Sequence, residues 1–272
     1  MQGSTESEPM NLTIDELLGI DGDTLRPPAG WGNMWGATFG GYVAAVMLQS
    51  FERNAPEGQS VAGAHIAFAR PLRTEPEARL VVDVHHRGRS GAAFSGRIDQ
   101  GDATTTAGIA WATVEADQPS RIEVSPPDVG PPEAYERNVS RGGENTFVDR
   151  DFDMRRVPTP DDGTLTLQWM RLTRLRVEDG ESWPVAALGL VADMVGAGQY
   201  RAAQLTAGEK YGALSLDLTI HVAAIPRGPW LLGVFENLAL DRGRTIGRGL
   251  LYDQHGTFAA SLTQQSLVRP IR

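Results

Sequence analysis

Hydrophobic and polar positions along the chain fall into two recurring patterns. Two segments, Gly41–Phe51 and Trp183–Gly196, are apolar almost all the way round when wound as helices. A helix on a protein surface shows a single apolar stripe, so helices without a polar face must be enclosed. Other stretches alternate instead. Leu214, Leu216, Leu218, Ile220 and Val222 interleave with Ser215, Asp217, Thr219 and His221, the period-two signature of a strand. Arg79–Val84, Thr104–Val114, Trp230–Phe235, Gly249–Asp253 and Thr257–Val268 read as strands too. Asp241-Arg242-Gly243 and Gln254-His255-Gly256 suit the hairpin turns between them. One enclosed helix followed by about four antiparallel strands, made twice, predicts an α+β fold with each sheet wrapped around a helix.

The halves also echo each other residue by residue. Gly88-Arg89-Ser90 and Ile98-Asp99-Gln100-Gly101 are followed by an Ala/Thr-rich strand to Val114. Gly243-Arg244-Thr245 and Tyr252-Asp253-Gln254-His255-Gly256 are followed by a strand to Val268, an offset of 154–155 residues. Upstream, Val43-Ala44-Ala45 matches Val185-Ala186-Ala187 at an offset of 142. Two units exclude a solenoid. Between them lies Asp117–Asn145, rich in Pro, Gly, Glu and Ser, which reads as a linker. The expected division is an N-terminal repeat over 1–120, a linker over 121–145 and a C-terminal repeat over 146–272, with Met1–Pro9 loosely ordered.

Composition narrows the chemistry. The 272 residues can bury a large core without disulfides or structural metal. A net charge of −9 argues against a nucleic-acid partner. The basic residues are 24 arginines and one lysine, Lys210; arginine forks can still grip a small phosphorylated ligand. The absence of cysteine excludes thiolate zinc sites, redox motifs and a cysteine nucleophile. The first 25 residues are acidic and polar, unlike a secretion signal. The longest apolar runs, at Gly40–Leu48 and Trp183–Val191, fall short of the about 20 residues that cross a bilayer. A cytoplasmic protein with no membrane partner is expected. His65, His85, His86, His221 and His255 lack metal-ligand spacing, so no metal is expected. Gly88-Arg89-Ser90-Gly91-Ala92 lacks the last glycine of a nucleophile elbow, and Lys210 has no Walker loop before it.

Several positions break the apolar pattern. Asp193 lies among Leu190, Val191, Ala192, Met194 and Val195, where an ionised carboxylate is costly unless it is bonded or reaches a cavity. Either it caps a helix end ahead of Gly196 and Gly198, or it is aimed into a site as a base or nucleophile. Gln264 shares strand parity with Phe258, Ala260 and Leu262, and a β-bulge would exchange it for Gln265. Ser215 lies on the polar side of its strand, as many solvated serines do. An acid, a hydroxyl and an amide together could orient a water molecule. Gly40-Gly41 opens the first helix, and either allows tight packing or leaves backbone N–H groups free for a carbonyl oxygen.

These residues resemble the acyl-CoA thioesterase II family of double-hotdog thioesterases over about Trp31 to Arg269. The resemblance rests on an ordered set: Phe39-Gly40-Gly41; His65-x-x-Phe68-x-Arg70-Pro71; Gly88-Arg89-Ser90; Ala192-Asp193-Met194; Ser215-Leu216-Asp217; Trp230-Leu231-Leu232; Arg248-Gly249; and Ser261-x-x-Gln264. It implies two hotdog repeats, a homo-oligomer, no cofactor beyond the acyl-CoA substrate, and an acid, hydroxyl and amide at Asp193, Ser215 and Gln264. The hydroxyl here is serine where the family has threonine. Gln265-Ser266 follows where the family has Glu-Gly, and Ile225-Pro226 replaces a second Arg-Pro.

The implied activity is hydrolysis of acyl-CoA to free acid and CoA by Asp193-activated water, with Gly40 and Gly41 holding the carbonyl oxygen. Arg89 and Arg244 are candidates for the CoA phosphates. The alternatives are an acyl-CoA-binding protein without turnover and a hotdog enoyl-CoA hydratase or dehydratase, whose Asp-x-Asn-Pro-x-His setting is absent. Aligning the halves leaves the acid and the amide only in the second and the open glycine terminus only in the first. One composite site per chain is expected.

Overall fold

A computed structural model describes residues 12–32, 37–115, 124–138 and 150–270. Met1–Pro9 and the parts of the 117–145 segment outside 124–138 lie beyond the described residues. The first half supplies helices α1 (Ile14–Leu18) and α2 (Gly40–Glu52). Its strands are β1 (Ile20–Asp21), β2 (Thr24–Leu25), β3 (Gln59–Phe68), β4 (Ala78–Arg87), β5 (Gly91–Gln100) and β6 (Ala103–Val114). The second half supplies strands β7 (Phe152–Val157), β8 (Leu165–Leu172), β9 (Tyr211–Ser215), β10 (Asp217–Val222), β11 (Leu231–Asp241), β12 (Arg244–Asp253) and β13 (Phe258–Pro270). Its helices are α3 (Ala187–Ala192) and α4 (Val195–Ala207).

All thirteen strands join one antiparallel sheet in the order β1-β2-β4-β5-β6-β3-β10-β13-β12-β11-β8-β7, with β9 also paired to β13. The halves meet where β3 pairs β10, and His65 stands opposite Thr219. From that seam outward the order mirrors itself: β6 answers β13, β5 answers β12, and β4 answers β11. The registers repeat as well, since His65 pairs Ile109 as Thr219 pairs Thr263, an offset of 154 that matches the sequence echo.

Helix α2 is enclosed, as its uniform apolarity requires. Tyr42, Val43, Ala44, Ala45, Val46, Met47 and Leu48 are all buried. The sheet covers one side, and α3 crosses the other so closely that a side chain on Gly189 would collide with the Ala45 backbone. The second enclosed helix differs from the expected Trp183–Gly196. Pro184 delays its start, and Trp183 instead donates its backbone N–H to the Pro226 carbonyl and its Nε1 to Gly228. The helix then breaks after Ala192. Bonds from Met194 to Val191 and from Gly196 to Asp193 tighten the chain there to three-residue spacing. It resumes as α4, which the apolar pattern does not reach because the sequence turns polar beyond Gly196.

The described part of the proline-rich segment, 124–138, lies along the second half. Gly130 accepts from Trp169 Nε1, Ser125 accepts from the Tyr252 hydroxyl, and Val129 and Tyr135 cover a small cluster around Trp169, Trp230 and Leu232. No described helix is long and apolar enough to cross a membrane.

Candidate functional site

Three elements of the second half and one of the first converge on Asp193. The residue occupies the break between α3 and α4, where the tightened turn directs its side chain toward the N-terminus of α2. Gln264 reaches it from β13 and Ser215 from the end of β9, next to the strand it pairs. Ser215 Oγ donates to Asp193 Oδ1 at 3.2 Å. Gln264 Nε2 donates to the same Oδ1 and also to Ser215 Oγ, the latter at 3.2 Å. Asp193 and Gln264 are buried, with 7% and 1% of their surface exposed, while Ser215 is half-buried.

Ser215 faces inward because Leu214–Val222 is two strands. The ladder breaks at Leu216, whose N–H bonds to Gln265 and whose carbonyl accepts from Phe68. That kink reverses side-chain parity, so Ser215 turns toward Asp193 while Leu214 becomes partly exposed. Gln264 takes the inward position that its parity predicts, and Gln265 is exposed.

Electrostatics follow from this enclosure. Loss of water raises the Asp193 carboxyl from its ordinary 3.8 to about 6, opposed by the hydrogen bonds from Gln264, Ser215 and the Gly41 backbone. Gln264 and Ser215 both donate to Oδ1, and Oδ2 has no side-chain donor among the described residues. It faces Gly40, where an added Cβ would stand 2.6 Å away. Gly196 closes the other side. A Cβ there would lie 3.1 Å from Gln264 Oε1, 3.6 Å from Ser215 Oγ and 3.8 Å from Asp193 Oδ1. Gln264 Oε1 is buried and has no partner among the described residues. Turning the amide over would aim that oxygen at the carboxylate, so the assigned orientation is the favourable one.

The predicted acid, hydroxyl and amide therefore meet, and Gly40 and Gly41 lie beside them. The Gly41 N–H lies near enough to the carboxylate to hold its pKa down, and the Gly40 N–H meets no acceptor among the described residues. Arg89 and Arg244 are not brought to the cluster. Arg89 sits in the exposed turn between β4 and β5, and Arg244 opens β12 on its outward side, while Gly247 and Gly249 face in. A groove of about 450 Å³ lies at the far end of α2, lined by Ser50, Arg53, Asn54 and Arg79, away from Asp193. Among the described residues, no cluster of His, Asp and Glu could hold a metal ion.

The alignment of the halves did not identify Gly196, Gln199, Ser266 or Thr245 as part of the site. For Ser266 and Thr245 the signal lay in the strand pairing of the two halves. Where the second half pairs Ser215 with Ser266 and Thr245 with Ser266, the first pairs Val61 with Ala112 and Ala92 with Ala112. Ala110 holds the position of Gln264. The first half has a closed apolar core where the second has a polar cluster.

Comparison with known proteins adds the class. Family models match residues 27–113 to the acyl-CoA thioesterase N-terminal domain and residues 116–268 to the acyl-CoA thioesterase C-terminal domain. A conserved hot dog fold protein from Alicyclobacillus acidocaldarius superimposes with a TM-score of 0.80 at 22% identity, covering 94% of this chain and 97% of that one. Acyl-CoA thioesterase II TesB2 from Mycobacterium marinum gives 0.74 at 21% identity, covering 95% and 98%. A structure described as a thioesterase II from Thermobifida fusca gives 0.76 at 19% identity, covering 94% and 99%. No curated protein matches the sequence significantly. The fold is thus a double hotdog, two helix-wrapping repeats sharing one sheet. The chain belongs to the acyl-CoA thioesterase family and is a thioester hydrolase acting on acyl-CoA.

Proposed function

We propose that hydrolysis runs by direct attack of water, with Asp193 as general base and without a cofactor. The carrying observation is a buried carboxylate whose Oδ1 is held by two side-chain donors while Oδ2 lies against Gly40 at the N-terminus of α2. A water seated against the carboxylate can donate one proton to it, and Gln264 Oε1, a buried acceptor without a partner among the described residues, is a second acceptor of the same cluster. Asp193 removes a proton as the water oxygen bonds to the thioester carbonyl carbon. The Gly40 N–H, at the positive end of α2, would hold the carbonyl oxygen as it becomes negative, while Gly41 steadies the base. The tetrahedral intermediate then collapses, the carbon–sulfur bond breaks, and the thiolate takes the proton from Asp193. Acid and CoA leave, and the carboxylate is restored.

Ser215 serves in this scheme by orienting Asp193, since its single proton is directed at Oδ1. The test is free-thiol release from a panel of acyl-CoAs, run beside enoyl-CoA hydration. Thiol release that depends on Asp193 and Gln264 is expected. Acyl-CoA binding without thiol release, or hydration in its place, would overturn the mechanism.

A further inference from the structure

Beneath the site, one buried amide has no role in the chemistry just described. Gln199 of α4 is fully buried. Its Nε2 donates to the backbone carbonyl of Gln264 at 3.0 Å, and its Oε1 accepts from Ser266 Oγ. Gly247, the partner of Gln264 across β12 and β13, leaves the room for it. A Cβ at Gly247 would stand 2.8 Å from Gln199 Nε2 and 2.7 Å from Val195 Cγ1. The amide is seated against the strand pair and bonds to residues 264 and 266, passing over 265.

That choice matters because β13 reads Gln264-Gln265-Ser266, with two adjacent amides able to occupy the inward position. A bulge admitted at this point would turn Gln265 inward in place of Gln264. The strand already carries one register irregularity, opposite Leu251 and Tyr252. We propose that Gln199 is a positioning residue that fixes the local register of β13, so that Gln264 and not Gln265 faces Asp193. In the shifted arrangement Leu267 would replace Ser266 against Gln199, leaving a buried amide oxygen without its donor. The inference rests on the reading of Gln264 as a group of the hydrolytic site.

The test is Gln199→Met, which keeps the length and removes both bonds, with Ser266→Ala as a milder variant that removes one. In a crystal structure of Gln199→Met, the Gln264 side chain should be displaced from Asp193. Its kcat should fall at least ~10-fold with KM changed less than about twofold, as for a group acting through the reacting site. The acid limb of the rate profile should also move to higher pH, because the Gln264 bond that lowers the Asp193 pKa is lost. In a Gln264→Ala background the same substitution should change kcat less than about twofold. Ser266→Ala should move in the same direction by less. Gln264 still seated on Asp193 in the Gln199→Met structure, with an unmoved acid limb, would overturn the proposal. If instead Gln264→Ala alone keeps full turnover, the hydrolytic role of Gln264 fails, and the position of its side chain in the Gln199→Met structure still decides what Gln199 does.

Discussion

Replacing Asp193 with asparagine separates what the carboxylate does for turnover from what it costs the fold. Burial lifts its pKa from 3.8 to about 6, a gap of about two pH units. At about 1.4 kcal/mol per unit, that gap is worth roughly 3 kcal/mol. Its sign is fixed by which state holds the proton. Between the two values the folded chain is protonated at Asp193 while the unfolded chain has released its proton. The contribution to stability is therefore complete below pH 3.8, declines through the window, and is gone above about pH 6. Asparagine does not titrate. Subtracting the urea-unfolding free energies of Asp193→Asn from those of the natural chain should leave a curve that falls by roughly 3 kcal/mol between pH 4 and 7 and is flat beyond. Turnover should mirror it. With a pKa of about 6, wild-type kcat should drop about tenfold per unit on the acid side, while the asparagine variant loses at least ~100-fold at pH 7. A flat difference curve would refute the burial argument, and near-normal hydrolysis by the variant would refute the base.

The remaining expectations can be checked with single variants or one titration. Ser215→Ala should lose most activity and Ser215→Thr retain most, since threonine keeps the hydroxyl bonded to Oδ1; equal behaviour of the two makes Ser215 a bystander. Gly40→Ala should abolish turnover, because its Cβ would stand 2.6 Å from Oδ2 and must displace the carboxylate; an active Gly40→Ala enzyme would show that Asp193 need not sit against α2. A non-hydrolysable acyl-CoA analogue should titrate one site per chain, given Ala110 where the second half has Gln264; two equivalents would sink the composite site. Self-association is expected through the outer face around Ile109 and Trp111, each 57% exposed, so Trp111→Arg should lower the sedimenting mass; a wild-type chain that sediments as a monomer rules this out.

Much of the architecture was legible because it follows from burial. An apolar helix such as Gly41–Phe51 has no solvent-facing alternative, and period-two runs leave little choice of face. Asp193 and Gln264 were visible for the same reason, as polar groups in places that exclude water. What was hidden depended on breaks in periodicity. Ser215 reads as outward until the ladder is seen to kink at Leu216. Helix α4 begins at Val195 and carries Gly196 and Gly198 in its first turn, residues of low helix propensity, so the apolar pattern ends before its buried Gln199. Gly196 carries no side chain to notice; its importance lies in the space it leaves beside three other residues.

The mirrored sheet has a consequence for how such a site can be maintained. Two identical subunits related by a true two-fold axis would present every buried polar group twice, and any substitution in one would appear in the other. A single chain is free of that constraint. Here Ser215, Thr245, Gln264 and Ser266 are answered by Val61, Ala92, Ala110 and Ala112, so the desolvation penalty of a buried polar cluster arises once per molecule. The first half supplies the opening of α2 and otherwise acts as hydrophobic ballast, holding its polar twin in shape.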